Sequence, residues 1–128
     1  MILNKKFENL FLNVSCRAAL SVYQFIGKEN KIAADKAAVD AMRTELNKID
    51  MTGKIVIGEG ELDEAPMLYI GENLGNKNGP ELDIAVDPLE GTNFAANNLP
   101  GALSVIAIAK KSNLFKAPET YMNNISIN

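Results

Sequence analysis

The residues best suited to chemistry are the carboxylates in the middle of the chain. Between Glu59 and Glu90 the sequence has nine acidic residues and one basic residue, Lys77. Glu59 and Asp87 each follow a β-branched run, which is where α/β sheets place their ligand crevices. Carboxylates that converge at two strand ends repel one another unless a cation neutralises them. Oxygen ligands without nitrogen or sulfur favour Mg²⁺, Mn²⁺ or Ca²⁺. The pattern therefore predicts a divalent metal site, with a solvated acidic loop as the alternative.

The segment 87–92, Asp-Pro-Leu-Glu-Gly-Thr, adds groups that suit phosphate chemistry. Pro88 fixes the backbone after the first acid, and Gly91 permits a close approach of main chain to a phosphate. Thr92 supplies a hydroxyl that can orient a water molecule. The same spacing is also typical of a β-turn that joins two strands, so the motif alone leaves both interpretations open.

Composition narrows the chemistry further. The 128 residues include 13 basic and 16 acidic side chains and no histidine, which excludes imidazole bases and imidazole-based zinc sites. The formal net charge of −3 provides no bulk positive field for nucleic acid, and no apolar run is long enough for a bilayer. The single cysteine, Cys16, cannot form an internal disulfide, and we expect it to be buried on the first helix. These features predict a cytoplasmic protein without nucleic-acid or membrane partners.

The elements that must position these groups follow from apolar periodicity. Helical spacing predicts a first helix over 7–25 and a second that begins near Asp35 and ends before Gly53. Strands are predicted over 54–57, 82–86 and 103–109, with loops over 58–66 and 73–80. Pro88 lacks a ladder donor, so the middle strand should stop at Asp87. Two helices followed by several strands predict a layered α/β domain.

Several segments of the sequence resemble those of a known family. Residues 87–92 resemble the Asp-Pro-x-Asp/Glu-Gly-Thr signature of the lithium-sensitive, metal-dependent sugar and inositol phosphatases. Residues 54–72, with 83–88, resemble the class II, bacterial-type fructose-1,6-bisphosphatases, and the resemblance continues from the first helix to Met122. It implies the sugar-phosphatase α/β/α/β/α layering, of which residues 1–128 would be the amino-terminal, metal-binding and incomplete part.

The resemblance also implies roles for individual residues. Asp35 and Glu59 would hold one divalent ion, Mn²⁺ or Mg²⁺, and Asp87 and Glu90 a second. Asp63 and Thr92 would position or deprotonate the attacking water. The sugar phosphate would contact Glu90, Gly91, Thr92 and Tyr121. Without the resemblance, Asp35 is better interpreted as a helix cap and Tyr121 as a half-buried aromatic residue. Glu72 is expected to be solvated or to lie behind the ligands.

The implied reaction is hydrolysis of fructose 1,6-bisphosphate to fructose 6-phosphate and phosphate, a gluconeogenic step. The family's chain is more than twice as long, and its remaining part would supply a further acidic ligand and most of the sugar pocket. A complementing carboxyl-terminal chain or a homo-oligomer is therefore an expected partner. Two alternatives stay open, namely a non-catalytic remnant that binds divalent metal and a phosphatase for inositol or another sugar.

Overall fold

The described part of the chain forms a four-stranded mixed sheet with two helices packed on one face. The computed structural model describes residues 5–60, 67–116, 123 and 125–127. The helices are α1 (Lys5–Val22), α2 (Lys31–Leu46) and the short α3 (Thr92–Ala96), with a 3-10 turn at Tyr23–Phe25. The strands are β1 (Thr52–Ile57), β2 (Asn73–Leu74), β3 (Glu81–Glu90) and β4 (Leu103–Lys110). The predicted α/β class is confirmed.

The order of the strands brings the two acid-bearing strand ends together. The sheet runs β2-β1-β3-β4, with β1 and β3 parallel and the other neighbours antiparallel. Ile57 at the end of β1 pairs with Ala85 of β3. Because Glu59 and Asp87 each lie two residues beyond this pair, both reach the same edge of the sheet.

A single apolar core holds the helices on the sheet. Val14 and Ala18 of α1 and Val39, Met42 and Leu46 of α2 are fully or almost fully buried, in one cluster with Ile55, Leu82 and Ile84 of the strands. Alanine at the helix contact allows the backbones to approach closely, and the larger side chains fill the space above the sheet. Within the described residues, no helix has the length and hydropathy needed to cross a membrane.

The second helix begins earlier than its periodicity predicts. It starts at Lys31, and the side chain of Asn30 accepts a hydrogen bond from the Ala33 N–H at 3.0 Å. Asp35 therefore lies one turn inside α2, and its interpretation as a helix cap is wrong. Asparagine at an N-cap satisfies one of the donors that a helix start leaves unpaired.

Replacing Asn30 with alanine is expected to lower the free energy of unfolding by about 1 kcal/mol, because this donor then loses its partner. Urea denaturation of the two proteins measures the difference. Asn30→Asp keeps an acceptor oxygen at the cap and should stay close to the wild type. Equal losses in both variants would contradict the capping role.

The third strand does not stop at Asp87, contrary to the sequence prediction. Strand β3 continues through the fully buried Pro88 to Glu90. The ladder to β4 pairs Asp87 with Val105 and Glu90 with Leu103, so three steps on β3 match two on β4. A bulge of this kind accommodates a residue that has no N–H to give to the ladder.

Two smaller expectations also change. The loop predicted over 73–80 begins with the two residues of β2, which pair with β1. Cys16 is exposed rather than buried. Strand β4 is one of the two edge strands of the described sheet, and its Leu103 and Val105 side chains are 60% and 44% exposed.

Candidate active site

Glu59 is held at the site by a tight approach of two backbone segments. It follows β1, and its N–H donates to the Leu68 carbonyl at 3.0 Å. A Cβ at the preceding residue, Gly58, would lie 2.3 Å from that carbonyl oxygen, so a side chain there would force the segments apart. The Glu59 Oε2 atom is buried. Glycine at position 58 therefore lets Glu59 turn its carboxylate inward.

Asp87 and Glu90 are positioned by the end of β3. The bulge at Pro88 sets the spacing of the two acids along the strand. Gly91 then adopts a left-handed conformation with φ of +75°, which glycine takes at little cost. Its carbonyl accepts the Phe94 N–H at 2.8 Å, and α3 begins at Thr92. The strand-to-helix turn thus places Thr92 beside Glu90.

The acids and the threonine line one cavity of about 350 Å³. It gathers six of the predicted site residues, namely Asp35, Glu59, Asp87, Glu90, Gly91 and Thr92. Three further residues line it, Gly60, Met67 and Leu89, which lie inside the segments 54–72 and 87–92 but were given no role there. Asp63 and Tyr121 lie outside the described residues. Three separate parts of the chain, the first turns of α2, the end of β1 and the end of β3, therefore converge on one acidic cavity.

The carboxylates of this cavity perturb one another. Burial, a hydrogen bond to Glu90 and the charge of Glu90 raise the pKa of Asp87 to about 7, and Asp35 adds to the effect. Burial also raises the pKa of Asp35. Without a cation, the protein relieves this repulsion by keeping a proton on Asp87.

In metal-free solution, Asp87→Asn is expected to raise the free energy of unfolding at pH 8 by about 1–2 kcal/mol, after allowance for solvent screening, and to leave it unchanged near pH 4. The folded wild type keeps the Asp87 proton up to a pKa of about 7, whereas the ordinary value is 3.8. Wild-type stability therefore falls as pH rises between these values, because the unfolded chain releases the proton first. Asparagine carries no such proton, so the variant escapes this loss.

Urea denaturation at both pH values, with a chelator present, measures the effect. Asp40→Asn removes a carboxylate whose side chain is 51% exposed and should show no comparable gain at pH 8. An Asp87→Asn effect of equal size at the two pH values would contradict the raised pKa.

The donor set of the cavity fits a hard divalent cation. All four acidic side chains offer oxygen, with no imidazole or thiolate among them, as Mg²⁺ and Mn²⁺ sites require. Across the residues that the structure describes, no three acidic or other ligating side chains are close enough to form a metal-binding group by themselves. The four carboxylates thus share a cavity, and their role as metal ligands remains a prediction.

One ion pair behind the cavity escaped the sequence analysis. Glu72 is buried, with 8% of its surface exposed, and its carboxylate accepts from the Arg43 Nε at 2.7 Å. Glu72 ends the segment 54–72 that resembles the family, but Arg43 lies outside it, and 29 positions separate the two residues along the chain. No sequence signal could have paired them, since the contact depends on how the last turn of α2 packs against the residues that precede β2.

Comparison with known proteins identifies the family. The family described as bacterial fructose-1,6-bisphosphatase, glpX-encoded, matches residues 5–128. A D-fructose 1,6-bisphosphatase class 2/sedoheptulose 1,7-bisphosphatase of Prochlorococcus marinus strain MIT 9515 is 51% identical over 124 residues, or 97% of this chain. The protein of the same description from strain MIT 9303 is 51% identical over 115 residues, or 90% of this chain.

The match covers only part of these relatives. It spans 37% of the length of the MIT 9515 protein and 34% of that of the MIT 9303 protein. The similarity nevertheless runs through all the elements that line the acidic cavity, from α2 to the turn after β3. The chain belongs to the glpX-encoded family of bacterial fructose-1,6-bisphosphatases.

Proposed function

We propose that this chain carries the metal-binding half of a sugar-bisphosphatase site that hydrolyses the 1-phosphate of fructose 1,6-bisphosphate. The observation that carries the proposal is the single cavity that gathers four carboxylates with Gly91 and Thr92. Membership of the family supports the reaction class. The names of the relatives add sedoheptulose 1,7-bisphosphate as a second sugar bisphosphate of the same chemistry.

In this proposal the four carboxylates bind two divalent cations. Asp35 with Glu59 would hold one ion, and Asp87 with Glu90 a second, either Mn²⁺ or Mg²⁺. Bound there, the ions would polarise the phosphoryl group and make a water molecule more acidic. The raised pKa of Asp87 supports this assignment, because cation binding would displace the proton that the cavity otherwise retains.

The turn after β3 would bind the phosphate and orient the attacking water. Gly91 has no side chain, so a phosphate oxygen can approach the backbone there. The Thr92 hydroxyl would accept a hydrogen bond from the attacking water and orient it towards phosphorus. The water oxygen would then form a bond to phosphorus while the bond from phosphorus to the C1 oxygen breaks, and the proton that the water gives up would pass to the C1 oxygen as the alcohol leaves. Asp63, as a further group acting on the water, and Tyr121, as a sugar-phosphate contact, remain predictions from the family resemblance.

A second candidate function is divalent-metal binding without hydrolysis. One observation favours it, since the match covers only 37% of the length of the MIT 9515 relative, whose remaining part would carry the further ligand and the sugar pocket that the resemblance implies. We therefore propose that hydrolysis needs a carboxyl-terminal chain of the family, or a second copy of this chain, to complete the ligands and the sugar pocket. A cytoplasmic location and the absence of nucleic-acid and membrane partners remain predictions.

Phosphate release separates these possibilities. The purified chain, alone and mixed with the complementary carboxyl-terminal part of the MIT 9515 relative, would be incubated with fructose 1,6-bisphosphate and Mn²⁺. Release in the mixture that a chelator abolishes would support the phosphatase proposal. Metal binding without release in either sample would leave the metal-binding candidate. Equal release from inositol monophosphate would move the substrate assignment to another branch of the superfamily.

A further inference from the structure

The buried ion pair behind the cavity has an unusual third partner. Arg43 lies two turns beyond Asp35 on α2, and its guanidinium meets Glu72 in a two-point contact, through Nε at 2.7 Å and Nη2 at 3.2 Å. The same Nη2 group also donates to the Met67 carbonyl. Met67 lines the acidic cavity. One side chain of the Asp35 helix thus contacts a second residue of the cavity wall.

Both ends of this contact are rigidly held. Arg43 lies in the last turn of α2, between the buried residues Met42 and Leu46. Glu72 is held against β1, since its carbonyl accepts the Ile55 N–H at 2.9 Å. Arginine offers a planar fork of donors, so it can satisfy both carboxylate oxygens and still bind a carbonyl. The hydrogen bond to Glu72 also raises the pKa of Arg43, which therefore remains charged.

The contact continues to a predicted metal ligand through two backbone hydrogen bonds. Leu68, next to Met67, accepts the Glu59 N–H at 3.0 Å. Gly60 in turn accepts the Ile70 N–H at 3.1 Å. Residues 67–70 are thus cross-linked to the backbone on which Glu59 stands. A displacement of the Met67 carbonyl would move this backbone and its carboxylate.

We infer that Arg43 is a positioning residue of this site, which acts through Glu72 and the Met67 carbonyl to fix Glu59 at the cavity. The inference rests on the proposed function in treating the cavity as the reaction site. A purely structural ion pair would stabilise the whole fold and have no selective effect on Glu59. The two cases therefore differ in where the protein loosens when the contact is broken.

Hydrogen exchange of the full chain tests this difference without metal. In Arg43→Lys the charge remains, but the two-point contact and the bond to Met67 cannot all be kept. We expect the Glu59 and Ile70 amides to exchange about tenfold faster, while amides in the middle of β3 keep their wild-type rates. Glu72→Gln, which retains the side-chain volume, should show the same local pattern. Unchanged exchange at Glu59, or equal acceleration throughout the fold, would overturn the inference.

Mn²⁺ binding gives a second measurement with a matched control. Asp40 contacts Arg43 on the outer side of the same helix, at 4.0 Å, with its side chain 51% exposed. Arg43→Lys should weaken Mn²⁺ binding by about tenfold, because the contact that holds Glu59 in place is lost. Asp40→Asn should bind Mn²⁺ with the affinity of the wild type. Equal affinity in Arg43→Lys and the wild type would also overturn the inference. Failure of the wild type itself to bind Mn²⁺ would contradict the proposed function, and the exchange measurement would then decide the role of Arg43.

Discussion

Replacing Thr92 with alanine is expected to slow Mn²⁺-dependent phosphate release by about 100-fold, because the attacking water loses the hydroxyl that orients it. Thr92 lines the acidic cavity directly after the left-handed Gly91, so the loss should fall on the reaction step. The four carboxylates remain in place. Mn²⁺ affinity should therefore stay close to that of the wild type. The effect is measured from initial rates of phosphate release at saturating Mn²⁺, in the mixture of this chain with the carboxyl-terminal part of the MIT 9515 relative.

Thr92→Ser is the matched control for this prediction. Serine keeps the hydroxyl and loses only a methyl group, so it should recover most of the rate. A serine variant as slow as the alanine variant would assign the loss to packing of the turn. An alanine variant that hydrolyses at the wild-type rate would remove Thr92 from the mechanism.

Mn²⁺ at about a hundredfold excess over its dissociation constant is expected to raise the melting temperature of the wild-type chain by about 10 °C, which corresponds to about 2.7 kcal/mol of binding free energy. Asp87→Asn should abolish this rise. Burial, and then the neighbouring carboxylate of Glu90, raise the pKa of Asp87 to about 7. Asparagine removes the charge that the cation would bind. Thermal unfolding with and without Mn²⁺ at pH 8 measures the difference.

Glu81→Gln is a suitable control for nonspecific binding of cations to an acidic chain. Glu81 belongs to the same acid-rich stretch, but its side chain is 60% exposed, pairs with Lys111 and lies at the opposite end of β3. This variant should keep the full Mn²⁺ response. An identical response in Asp87→Asn would show that the cation binds elsewhere on the chain.

The sequence predicted the arrangement of the site better than the bounds of the elements around it. Placing Glu59 and Asp87 after two strands was enough to bring them to one sheet edge, because β1 and β3 are parallel neighbours. The family resemblance added Asp35, which the spacing of acids could not have placed. These residues line one cavity, as expected. Their roles as ligands remain predictions.

The features that sequence could not predict all depend on tertiary contacts. Pro88 argues locally for the end of a strand, yet the bulge opposite β4 accommodates it inside one. For Glu72 the sequence left open whether it is solvated or lies behind the ligands, and the ion pair with Arg43 of a distant helix decides against the solvated alternative. In both cases the deciding partner is far away in the chain, so no local pattern carries the information.

The exposed side chains on β4 have a practical consequence for handling this protein. Within the described sheet β4 is an edge strand, and an edge strand with exposed apolar side chains such as those of Leu103 and Val105 is a template on which another polypeptide can assemble. Lys110, the last residue of β4, supplies one charge that opposes such association. The solubility of the isolated chain should therefore depend on this edge strand more than on the acidic cavity. Val105→Lys should raise the concentration at which the chain precipitates.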